Sequence, residues 1–205
     1  MKKSILFIFT ACFLFTTSCS DFLDEEHKTK YSSEYVFGTP EGLKLAVNAL
    51  YALQRYYAND TENATIFALE RGTDLAVTNG GTGNFYGIYD PNYLKPSASQ
   101  VGFMWRTMYQ IIGKANEIIA AAEDLEDTPS LRATVSEAKC FRAQSYFLLY
   151  RTFDRIWLNI QPTTAENVND PRDFHAASEK EVFDLIYEDL EYAITNLDWV
   201  SDEAG

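Results

Sequence analysis

The chain has 205 residues, 46% of them hydrophobic, 15% aromatic and 23% charged. That composition is too apolar and aromatic for a disordered chain and is ample for one sizeable core. Seventeen basic residues face thirty acidic ones, a formal charge of −13, so the chain is poorly suited to a phosphate backbone and nucleic acid is not an expected partner.

In chain order, Lys2 and Lys3 open a short positive region before the apolar run from Ile5 to Phe15. Crossing a bilayer takes roughly twenty apolar residues, so this run reads as the core of a signal peptide and not as a membrane span. Thr16, Thr17 and Ser18 then lead into Cys19. A cysteine after a small-residue cleavage region resembles a bacterial lipobox, here relaxed by Thr16 at the usual leucine position. The reading is a signal peptide at 1–18, lipidation at Cys19, and a polar, acidic tether over 19–38. With Cys19 lipidated, Cys140 is the other mature cysteine; it sits in an apolar helical pattern and is expected to be a small buried hydrophobe.

Thr39-Pro40-Glu41 is a helix start with cap, N1 proline and first-turn acid. The helix should reach about Ala58, with Leu43, Ala46, Val47, Leu50 and Leu53 on one side. A second helix is expected from Ser99 to about Leu125, with Trp105, Met108, Ile112, Ala115, Ile119 and Ala122 as its buried stripe. The third starts at Thr128-Pro129 and runs to about Phe153. It is apolar almost all round from Cys140 to Tyr150, as suits a central helix. The fourth begins at Ser178, where Glu181 completes a capping box. Its core face should hold Val182, Ile186, Leu190, Ala193 and Leu197. No segment shows strong strand alternation, so the class is all-α, built from tetratricopeptide-like helix pairs.

Two connections, Asn59 to Ala98 and Asp154 to Ala177, are far longer than the 2–8 residues usual between bundled helices. The first holds Gly72, Gly80, Gly81, Gly83 and Gly87 together with Phe85, Tyr86, Tyr89 and Tyr93. Asp74, Asn79, Asn84, Asp90 and Asn92 are interleaved with them. A tyrosine can cover the apolar face of a sugar while Asp and Asn bond its hydroxyls, so Asp74, Asn79, Asn84, Tyr86, Tyr89 and Tyr93 are the candidate ligand-binding set. The competing reading makes those rings simple packing between loop and scaffold. The many carboxylates fix no pair at a glycosidase separation. No P-loop or nucleophile elbow occurs. Asn167-Val-Asn-Asp170 is oxygen-rich but lacks the glycine and terminal glutamate of an EF-hand. No cofactor, metal site or catalytic residue is assigned. Trp105 reads as core, whereas Trp157 and Trp199 could stand half exposed. Glu137 and Arg142 read as structural ion-pair or capping residues.

Several stretches resemble the N-terminal part of the SusD/RagB family, surface lipoproteins of Bacteroidetes. Cys19-Ser-Asp-Phe-Leu-Asp24 is similar to the family's mature start, and Thr73-Asp74 to the acidic step after its first helix. Trp105-Arg-Thr-Met-Tyr109-Gln-Ile-Ile112-Gly-Lys-Ala-Asn116 resembles its W-x-x-x-Y-x-x-I-x-x-A-N helix. Glu137-Ala-Lys-Cys-Phe-Arg142-Ala-Gln-Ser-Tyr146-Phe-Leu-Leu149 resembles E-A-x-F-L-R-A-x-x-Y-x-x-L, and Asp189-Leu-Glu-Tyr-Ala193-Ile-Thr-Asn-Leu197 resembles D-L-E-x-A-x-x-x-L. Phe153-Asp-Arg-Ile-Trp157-Leu departs from the family's Phe-Gly-Asp and Pro-Leu step. The resemblance implies a SusD-like helical domain over 39–205, with the family's C-terminal half expected to be absent. It implies a non-catalytic, lipid-anchored glycan-binding protein on the cell outer membrane, facing the surface. Its cargo would pass to a TonB-dependent, SusC-like transporter. The alternatives are a peptide-binding lid of a RagB-like importer and a truncated scaffold without ligand.

Overall fold

The computed structural model describes residues 31–59, 99–164, 167–171 and 174–198. From Ser33 onward these contain five helices in chain order: α1 (Ser33–Gly38), α2 (Pro40–Asn59), α3 (Ser99–Ala122), α4 (Pro129–Phe153) and α5 (Glu179–Asn196). No strand occurs among the described residues, and no described helix is long and apolar enough to cross a membrane. The all-α expectation stands.

The helix starts are set by local chemistry. Thr39 Oγ1 accepts from the Gly42 N–H at 3.0 Å and donates to the Tyr35 carbonyl at 2.8 Å, which caps α2 and ties it to α1. Gly42 is required at that crossing, because a Cβ there would lie 2.6 Å from the Val36 carbonyl oxygen and closer still to that of Tyr35. Thr128 caps α4 by accepting from the Leu131 N–H at 3.1 Å. Ser178 and Glu181 exchange both bonds of a capping box at the start of α5, and those bonds hold the Glu181 carboxyl below its usual range. The short α1 lies in the stretch assigned from sequence to the tether. It packs against α2 and α3 and lends Phe37 to the core.

Helix α4 is central, with neighbours α2, α3 and α5. Buried residues lie all around it, among them Leu131, Val135, Ala138, Phe141, Tyr146 and Leu149. Its buried hydroxyls are satisfied within the helix: Ser136 bonds the Arg132 carbonyl and Ser145 that of Phe141. Leu43, Val47 and Leu50 of α2 and Met108, Ile112 and Ala115 of α3 complete the core as expected.

Three burial expectations are corrected. Trp105 is 37% exposed, because α3 packs on both α2 and α4 and centres its buried face on Met104, Met108, Ile111, Ala115 and Ile118. The indole lies at the margin and covers Phe153 edge-on at 5.0 Å. Leu190 is exposed and its neighbour Asp189 is fully buried, so the inner positions of α5 are Val182, Ile186, Asp189 and Ala193. Cys140 is half-buried; burial, with Asp189 and Glu137 nearby, pushes its thiol pKa up and away from reactivity.

Candidate functional site

The candidate lipidation residue Cys19 and all six candidate ligand residues, Asp74, Asn79, Asn84, Tyr86, Tyr89 and Tyr93, lie outside the described residues, as does Trp199. What the described structure supplies is the frame from which that insertion springs and the connection that follows α4. The ends bracketing the insertion are tied by aromatic contact: Tyr57 of α2 lies parallel to Phe103 of α3 at 6.4 Å, and Tyr56 meets the same ring edge-on at 5.5 Å.

Helices α4 and α5 enclose a buried ionic cluster. Arg142 grips Asp189 with two bonds, Nε to Oδ2 at 2.7 Å and Nη2 to Oδ1 at 2.8 Å. Lys139 Nζ reaches the same Oδ1 at 2.8 Å, and Arg142 Nη1 donates to Asn116 Oδ1 at 2.9 Å. One carboxylate thus neutralises part of two cations, and the fork geometry matches the planar guanidinium. Tyr51 donates to Glu137 at 2.7 Å, and that bond raises its own pKa to about 12. Arg142 therefore has the ion-pair role expected from sequence, whereas Glu137 accepts a phenol hydrogen bond in place of an ion pair or a cap.

The cluster reaches the connection after α4 through Asn116. Its Nδ2 donates to the Asn159 carbonyl at 2.7 Å and lies 3.5 Å from that of Gln161. The Tyr146 hydroxyl accepts from the Asn159 N–H and donates to the Asn159 carbonyl, both at 2.8 Å. The Tyr109 hydroxyl treats Trp157 the same way, at 3.0 and 2.8 Å. Three polar side chains from α3 and α4 thereby hold a loop against the helices. Burial pushes the phenols of Tyr109 and Tyr146 up, so they stay protonated and able to donate. None of the three was assigned this role from sequence, although each is a polar group in an apolar helical register, which is the signal that marks such residues.

Along this loop runs a ladder of rings. Phe153 meets Trp105 at 5.0 Å, Trp105 meets Tyr109 at 4.9 Å, Tyr109 lies near-parallel to Trp157 at 6.3 Å, and Trp157 meets Phe174 at 4.8 Å. Trp157 is half-buried, as its sequence position suggested, and Phe174 is 70% exposed. A groove of about 400 Å³ opens beside it, lined by Trp157, Asn159, Ile160, Gln161, Asn167 and Asp170 among others. Asn167 is committed to the loop itself, accepting from the Thr164 N–H and donating to the Pro162 carbonyl. Among the described residues no group of three or more His, Cys, Asp or Glu side chains is placed to hold a metal ion.

Comparison with known proteins adds a second line. Residues 21–204 match the SusD-like family described as starch-binding and associating with the outer membrane. A SusD-like protein of Bacteroides ovatus is 26% identical over 99% of this chain and 36% of its own length. A laminarin-binding SusD-like protein of solved structure is 26% identical, with a TM-score of 0.59 over 80% of this chain and 35% of the other. A structure solved with a xylogluco-oligosaccharide shares the fold at a TM-score of 0.57 and 22% identity, covering 78% of this chain and 30% of that one. The chain thus spans about a third of the length of these matched relatives.

Proposed function

The chain belongs to the SusD-like family, and on that premise we propose that it is a non-catalytic glycan-binding lipoprotein of the outer membrane. The observation that carries this reading is the family match across residues 21–204. The sequence of the insertion supports it, because Tyr86, Tyr89 and Tyr93 supply ring faces and Asp74, Asn79 and Asn84 supply groups for sugar hydroxyls. The frame supports it too. Tyr57 and Phe103 bring the ends of α2 and α3 together, so an insertion between them starts from a fixed base. Bound oligosaccharide is handed to a TonB-dependent transporter of the SusC kind, and Cys19 carries the lipid that keeps the protein at the membrane.

The test is direct binding of maltohexaose, laminarihexaose and a xylogluco-oligosaccharide, measured by calorimetry beside a pool of short peptides. At least one glycan is expected to bind without being cleaved, and Tyr86→Ala or Tyr89→Ala should weaken it by about 1–2 kcal/mol. Lost stability at unchanged affinity in both variants would return these rings to loop packing. Binding confined to the peptides would make the cargo peptide instead.

A further inference from the structure

Among the described residues, the loop after α4 is hydrogen-bonded along one edge and, on the other, only at Ile156. Tyr109 and Tyr146 each bond the N–H and the carbonyl of a single residue, and those residues, Trp157 and Asn159, are two apart. That spacing is the alternation of extended chain, in which successive residues aim their backbone groups at opposite edges. On the other edge, the Ala177 N–H donates to the Ile156 carbonyl at 2.8 Å, as a first rung would. Leu158 and Ile160 are the next residues facing that way, and their backbone groups make no hydrogen bond among the described residues. The groove lies along these residues, and the Ile160 side chain is 57% exposed. An extended edge with open donors and acceptors is a template for another strand.

We propose that this edge is a strand-addition site for an extended, basic peptide segment of a partner protein. With Ile156 taken by Ala177, the open part of the edge from Leu158 to Ile160 is about 7 Å long at ~3.3 Å per residue, room for two or three residues of a partner. Basic character follows from charge. Asp170 stands in the groove wall without a cationic partner among the described residues, and the chain carries a formal charge of −13. A sugar fits this place less well, since the Trp157 ring is already flanked by Tyr109 and Phe174. The site shares no residue with the insertion proposed for glycan, so either reading can fail alone.

The probe is a fluorescein-labelled Lys-Val-Lys-Val-Lys-Val-Lys peptide added to the full chain in detergent, followed by anisotropy. A control peptide carries N-methyl groups on alternate residues, which blocks pairing along one edge at the same charge. Ile160→Pro removes an outward N–H and spares the bonds to Trp157 and Asn159, while Ile160→Ala keeps that N–H. N-methylation and Ile160→Pro should each weaken binding about fivefold or more, and Ile160→Ala by no more than about twofold. Should Ile160→Pro fail to keep its helical circular dichroism, the N-methylated peptide decides alone. Equal binding of both peptides would overturn the proposal in favour of charge only. Loss of laminarihexaose binding in a folded Ile160→Pro protein would make the groove a glycan site. A concentration-dependent dimer abolished by the same change would make its occupant a second copy.

Discussion

Asp154 holds the least favourable backbone among the described residues, φ 62° and ψ −47°, directly after α4. The Arg155 N–H donates to the Phe153 carbonyl at 2.6 Å, closing a three-residue turn of the strained hand. A side chain at positive φ costs about 1–2 kcal/mol relative to glycine. Asp154→Gly should therefore raise stability by about 1 kcal/mol and leave the helical signal unchanged, as read by urea denaturation. A loss of stability would show that the Asp154 side chain contributes more than its backbone costs.

Helix α5 shows two faces of opposite meaning. Asp189 is fully buried in the bundle, held by Arg142 and Lys139, whereas Leu190, Tyr187 and Ile194 are 38%, 59% and 67% exposed. Removing one member of a buried ion pair leaves its partners charged and unpaired, at a cost of about 3–5 kcal/mol. Asp189→Ala should lower stability on that scale. Leu190→Lys and Ile194→Lys should leave the melting temperature within a degree or two, because little apolar area is lost from the core. Dye binding to exposed apolar surface should fall in both lysine variants. A reversed order, with Leu190→Lys the more damaging, would refute this register for α5.

Across the whole molecule, tyrosine hydroxyls join helices to one another and to the loop, and that sets a pH limit. The Tyr51 phenol is raised to about 12 by its bond to Glu137, and those of Tyr109 and Tyr146 are raised by burial. A raised pKa means that the native state holds the proton more tightly than the unfolded chain does. Its stabilising effect is full below the unfolded value near pH 10 and is lost as pH climbs through the folded value. Denaturant unfolding at pH 7, 9.5 and 11.5 should show little change between the first two and a clear loss at the third. Tyr146→Phe should be less stable at pH 7, because the Asn159 backbone loses both bonds, and should fall less steeply above pH 10. A stability flat to pH 12 would exclude these phenols as its source.

Helix identity was legible in the residues because helix signals are local. Thr39-Pro40, Thr128-Pro129 and the Ser178–Glu181 box sit within one turn of the groups they satisfy, and Leu43, Val47 and Leu50 repeat at the helical period. The spacing of the helix motifs likewise pointed to the family. Hydrophobicity alone could not choose between Asp189 and Leu190 for the inner face of α5, since periodicity reports a helix's own faces and not the partner waiting opposite. That choice depends on Arg142, 47 positions earlier in the chain, whose charge needs an anion once α4 is buried. The loop after α4 follows the same rule. Tyr109, Asn116 and Tyr146 read only as positions within helical motifs, and packing brings them onto the backbone of Trp157 and Asn159. Local propensity therefore determined the elements, and buried polar groups, which must find partners wherever the fold provides them, decided their register and the shape of the groove.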